Sequence, residues 1–92
     1  MTVHVPAPLR PFTGQQAVLD LPARTVGEAL AELVARHPEL RRQLYGEDGR
    51  LRSFVNLYLN DQDIRYLQRE ATPVGEGDAL SIVPAVAGGR KE

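Results

Sequence analysis

Cysteine is absent from all 92 residues. Its absence excludes disulfides, a thiolate metal site and a cysteine nucleophile. Long apolar runs are missing as well, and none approaches the roughly 20 residues that a membrane-spanning helix needs. The N-terminus lacks the basic and apolar regions of a signal peptide, so the expectation is a cytoplasmic protein with no membrane partner. Excess charge of one sign is also lacking. A net charge of -1 argues against nucleic acid as the main partner. Lysine is nearly absent, with Lys91 standing against ten arginines, and no function follows from that bias.

The titratable groups form no catalytic pattern. His4 and His37 are isolated imidazoles without a ligand-like or base-like neighbour in sequence. The acidic pairs Glu47/Asp48, Asp61/Asp63 and Glu76/Asp78 fall in turn-like stretches, where Asp satisfies local backbone N–H groups. The expectation is a protein that is not an enzyme and has no metal site.

What is present suffices for one domain with a sizeable core: 92 residues, 42% of them hydrophobic. Thr2 to Pro6 alternates, with Val3 and Val5 on one face, and reads as a strand. Pro6, Pro8, Pro11 and Thr13-Gly14 mark a turn. Gln15 to Leu21 is a second strand, with Leu19 and Leu21 inward and Asp20 outward. Their closeness predicts an antiparallel hairpin.

Thr25-Val-Gly-Glu28 fits a capping box, in which the Glu28 carboxylate reaches back to the Thr25 N–H. Val26, Leu30, Leu33, Val34 and His37 follow at helical spacing. Pro38 ends that helix and opens a short second one, with Leu40 and Leu44 inward. Gly46 to Gly49 is a loop.

Phe54 to Asn60 is the strongest strand. Val55, Leu57 and Leu59 share one face, and Phe54, Asn56 and Tyr58 the other. Asn60-Asp61 is a turn, and Gln62 to Ile64 a short strand with Ile64 inward. Tyr66 to Pro73 is irregular with one helical turn. Ala79 to Val83 is a final strand, with Leu80 and Ile82 on one face and Ser81 and Val83 on the other. Pro84 has no N–H, so regular pairing should weaken there.

A hairpin, one long helix and then further strands make an α+β fold, with a mixed sheet packed against one main helix. A central last strand must lie parallel to the first, which is the β-grasp (ubiquitin-like) arrangement. The β-grasp domain is expected over 1–85 and a flexible tail over 86–92.

That tail organises the chain. Ala85-Val-Ala-Gly-Gly89 has no bulky side chain except Val86, and Gly88 and Gly89 lack Cβ. Val86, Ala87, Gly88 and Gly89 can thread a narrow channel, spanning at most about 14 Å when extended. Such a tail points to a carrier or modifier whose chemistry takes place at its own C-terminus.

Thr25-Val-Gly-Glu-Ala-Leu30, Phe54-Val-Asn-Leu-Tyr-Leu-Asn-Asp-Gln-Asp-Ile-Arg65 and Gly77 to Gly89 resemble the MoaD/ThiS family of ubiquitin-like sulfur carriers. With the hairpin they cover nearly the whole chain. The second and third stretches look closest to the carriers that supply sulfur for cysteine made from O-phosphoserine. The family diglycine falls on Gly88 and Gly89.

The resemblance implies a mechanism. An E1-like adenylyltransferase/sulfurtransferase uses ATP and Mg²⁺ to adenylate the Gly89 carboxylate, and sulfur displaces AMP to leave a thiocarboxylate. That sulfur then attacks an acceptor, here an aminoacrylate on a PLP-dependent cysteine synthase. Molybdopterin and thiazole are other acceptors served by the same chemistry. The carrier holds no cofactor itself. Family carriers end at the second Gly, whereas Arg90-Lys91-Glu92 follows here. In some relatives a JAMM-type metalloprotease removes such an extension.

The outward strand face carries Phe54, Tyr58 and Val83, an apolar surface expected to dock partners. Arg41, Arg42, Arg50, Arg52, Arg65 and Arg69 offer a basic surface, either solvated or facing an acidic partner. Two other readings share the fold: a ubiquitin-like modifier conjugated to target lysines, and a noncatalytic β-grasp interaction module.

Overall fold

A computed structural model describes residues 1–84, and the tail positions Val86 to Gly89 lie outside the described residues. The five strands are β1 (Thr2–His4), β2 (Val18–Asp20), β3 (Val55–Leu59), β4 (Gln62–Asp63) and β5 (Ala79–Pro84). They form one sheet in the order β2-β1-β5-β3-β4. The last strand is central as expected: β5 runs parallel to β1 and antiparallel to β3.

The helices are α1 (Val26–Arg36) and α2 (Leu40–Leu44). In α1 the Thr25 hydroxyl accepts from the Glu28 N–H at 3.1 Å, which satisfies one orphan donor of the first turn. The reciprocal contact differs from the expected capping box by one residue. Glu28 Oε1 accepts from the Arg24 N–H at 2.9 Å, not from Thr25. The same stretch is tied to a neighbouring segment: Thr25 bridges to Pro73, and the Val74 N–H donates to the Arg24 carbonyl.

Val26, Ala29, Leu30 and Leu33 turn one stripe of α1 to the sheet and are fully buried. They meet Val3, Leu19, Leu57, Leu59, Leu80 and Ile82 in one core, which Leu40 and Leu44 extend. Val34 packs at the edge of this core and is only partly buried.

Two further boundaries differ from the expectation. The proline-rich stretch is a 3-10 helix, Ala7–Thr13, closed by Gly14 in the left-handed region at φ 63°. Glycine adopts that conformation without steric cost. The strand after it starts at Val18 rather than Gln15, because the Gln15 and Gln16 N–H groups close the turn onto the Arg10 and Thr13 carbonyls. After Asp63 the chain leaves the sheet through two 3-10 turns, Ile64–Tyr66 and Arg69–Ala71.

Candidate functional site

The face of the sheet away from α1 is built by strand parity. On β3, Val55, Leu57 and Leu59 point into the core, so Asn56 and Tyr58 point out. On β5, Leu80 and Ile82 point in, so Ser81 and Val83 point out. Register then joins the strands. Val18, His4, Ser81, Tyr58 and Asp63 lie side by side in one row crossing all five strands. Asn56 and Val83 form the next row.

The structure separates the three residues expected to dock a partner. Val83 lies on this face and is 41% exposed. Tyr58 also lies on it but is half-buried between its row neighbours. Phe54 is 40% exposed yet stands in a turn before β3, not in the strand. The Val55 N–H donates back to the Arg52 carbonyl, which holds that turn closed.

Phe54 and Val83 flank the end of β5. Pro84 pairs with Val55 and so continues the ladder, where weakening was expected. Alternation explains why. The Asn60 N–H donates to the Ala79 carbonyl, which makes Ser81/Tyr58 and Val83/Asn56 the bonded positions between β5 and β3. Pro84 falls at a position that calls for no N–H toward β3.

At the opposite edge the face turns polar. Arg65 grips Asp63 with Nη2–Oδ2 at 2.7 Å and Nε–Oδ1 at 3.1 Å, and its Nη2 also donates to Asn56 Oδ1 at 2.9 Å. Hydrogen bonds from Arg65 hold the Asp63 carboxyl below its ordinary pKa. A similar clamp closes the sheet beside Ala79. Asn60 Nδ2 donates to Asp78 Oδ1 at 2.9 Å, and the Gly75 N–H to Asp78 Oδ2 at 2.8 Å, which lowers the Asp78 pKa.

Sequence reasoning placed Ser81 on this face but missed the contribution of Val18 and His4, and the Asp63–Arg65–Asn56 link. Parity assigns a face but not a neighbour. One signal was available: a two-residue Asn60-Asp61 turn fixes Leu59 opposite Gln62 and Tyr58 opposite Asp63. Both turn residues have positive φ, 50° and 72°, as such a turn requires. Among the described residues no cluster of three metal-ligating side chains occurs, and no helix is long and apolar enough to cross a membrane.

Fold and face together define a ubiquitin-like β-grasp domain with one open, partly apolar sheet surface. The model of the ThiS family matches residues 3–89, and the chain belongs to that family. The sulfur carrier protein CysO of Mycobacterium tuberculosis is 38% identical over 91 residues, covering 97% of this chain and 98% of that protein. Small archaeal modifier protein 3 of Haloferax volcanii is 40% identical over 65 residues, covering 71% of this chain and 70% of that protein. A chain in the crystal structure of the Amycolatopsis orientalis BexX/CysO complex superposes with a TM-score of 0.85 at 37% identity. That match covers 95% of this chain and 97% of the other. These relatives are named as carriers and modifiers, not as enzymes.

Proposed function

We propose that this protein is a sulfur carrier whose Gly89 carries the sulfur as a thiocarboxylate, with cysteine biosynthesis as the destination. The observation that carries the reading is the near-full-length likeness to CysO, with the family match running through Gly89. The fold supports it: the central strand ends at Pro84, and five residues later comes Gly89. Fully extended, those five residues reach about 17 Å, enough to carry a chain end into an enclosed nucleotide site.

The reaction belongs to the partners. An E1-like enzyme brings ATP and Mg²⁺; a Gly89 carboxylate oxygen attacks the α-phosphorus and pyrophosphate leaves. A sulfur nucleophile then adds to the acyl carbon, AMP departs, and the thiocarboxylate remains. Its anionic sulfur attacks an aminoacrylate held by a PLP-dependent cysteine synthase. Only a free α-carboxylate can enter this sequence, so Arg90-Lys91-Glu92 must first be removed, a task that suits a JAMM-type metalloprotease. Val83 and Phe54, exposed beside the end of β5, supply apolar docking area next to the tail, with Tyr58 alongside. A second reading, conjugation to target lysines, draws support from the likeness to an archaeal modifier protein.

Reconstitution with an E1-like partner, ATP and sulfide tests the proposal on three proteins: residues 1–92, residues 1–89, and residues 1–89 carrying Gly89→Ala. Intact mass should show oxygen replaced by sulfur on the second protein only. Equal thiocarboxylation of the untrimmed chain would remove the processing step. Failure of all three with a proven partner would favour a noncatalytic module.

A further inference from the structure

β5 pairs with β3 along its whole length, Val55 to Leu59, but β4 pairs only with Tyr58 and Leu59. Val55 to Leu57 therefore has a strand neighbour on one side alone. On its other side, where the chain peels away after Asp63, lies a cavity of about 310 Å³. Val55, Leu57 and Ile64 line its apolar wall, and Arg52, Arg65 and Arg69 line it with charge. We propose that this groove is a docking site for an extended acidic segment of a partner protein, at the polar Asp63–Arg65–Asn56 edge of the sheet rather than at Val83 and Phe54.

Charge is the first argument. Two acids, Asp63 and Glu70, also line the groove. Asp63 is engaged by Arg65. Arg52 is anchored through its Nε, which donates to the Arg42 carbonyl at 3.0 Å. Among the described residues, neither Arg52 nor Arg69 lies within ion-pairing distance of a carboxylate. Arg69 and Arg52 thus line the groove without an ion pair, Arg52 also lining the neighbouring hollow beside Arg42, and Glu70 is the remaining acid of the lining. Carboxylates from outside fit that imbalance.

Strain is the second argument. Arg69 sits at φ 52°, a left-handed conformation that costs a side-chain-bearing residue on the order of 1–2 kcal/mol. Buried Thr72 holds it there. Its hydroxyl donates to the Arg69 carbonyl at 2.6 Å and accepts from the Gln68 N–H at 3.0 Å. The next residue lies close against α1: a Cβ added at Gly27 would be 3.2 Å from the Glu70 carbonyl oxygen. The fold holds Arg69 in a costly conformation against the groove.

Shape is the third. The groove is open to solvent and has room for the side chains of a short segment. An open strand edge favours an extended chain, because main-chain groups along it can pair with a new strand.

An amide-shift titration of the 1–92 chain tests the site, using a synthetic peptide that alternates glutamate and valine. Saturable shifts are expected at Asn56, Leu57 and Arg69, weakened by salt and absent with the lysine–valine counterpart. Arg52→Glu should weaken binding about tenfold, the effect of roughly 1.4 kcal/mol. Arg52 has no strained backbone, so this variant keeps the test valid if Arg69→Glu fails to fold. Shifts that map to Tyr58 and Val83, no saturable shifts, or unchanged affinity in Arg52→Glu would overturn the proposal. So would equal occupancy of the groove by inorganic phosphate alone, which would make it a simple anion site. The titration needs no activated tail, so its failure leaves the carrier reading intact.

Discussion

Single carboxylates secure the open ends of this sheet. Asp78 accepts from Asn60 Nδ2 and from the Gly75 N–H, while the Ala79 N–H donates to Asn60 Oδ1 at 3.0 Å. These bonds favour the ionised carboxylate and lower its pKa in the folded chain. The sign follows from linkage. A depressed folded pKa contributes stability that is complete above the ordinary Asp value of about 3.9, and that is lost as pH falls through the folded value. Asp63, lowered by Arg65, acts in the same direction. Asp78→Asn should therefore lower stability at neutral pH and flatten its fall on the acid side. Urea denaturation at several pH values checks this, and an acid limb as steep as that of the parent chain would show that Asp78 does not contribute. Asp78 is partly exposed, so the change there will be modest, whereas the Asp63 side chain is only 11% exposed.

At the scale of elements, parity and helical spacing carried most of the fold. Leu80 and Ile82 read as inward and are 0% and 2% exposed, and the α1 stripe of Val26, Leu30 and Leu33 is fully buried. Those positions were legible because burial acts on alternate residues in a strand and on every third or fourth in a helix. Less legible was what depends on partners distant in sequence. The outward row through His4 and Ser81 needs register between β1 and β5, 76 residues apart at Thr2 and Asp78, where the Thr2 N–H meets the Asp78 carbonyl at 3.0 Å. That one backbone bond is invisible to local pattern. Phe54 alternates with Asn56 and Tyr58 and so reads as part of the strand, yet the Val55–Arg52 turn holds it just outside. Paired substitutions on β5 test the register. Leu80→Ala should cost about 2–5 kcal/mol through lost burial and the cavity left behind. Val83→Asp should leave the thermal midpoint nearly unchanged. A domain unfolded by Val83→Asp, with Leu80→Ala tolerated, would mean that the strand faces are reversed.

At the scale of the whole molecule, the β-grasp fold divides its labour by direction. One sheet face buries the core against α1 and is indifferent to partners. The other face carries Val83 where the central strand ends, and the groove beyond β3 opens at its flank. Among the described residues no cluster of metal-ligating side chains occurs, and under this proposal the chain supplies an end group, a reach and surfaces for enzymes to hold. The central claim is that this end group is Gly89 bearing sulfur. Intact mass of the protein recovered from its own cells tests that claim most directly. The account predicts a chain ending at Gly89, with a fraction heavier by one oxygen-to-sulfur exchange. A chain that keeps Arg90-Lys91-Glu92 throughout and carries no sulfur would contradict it.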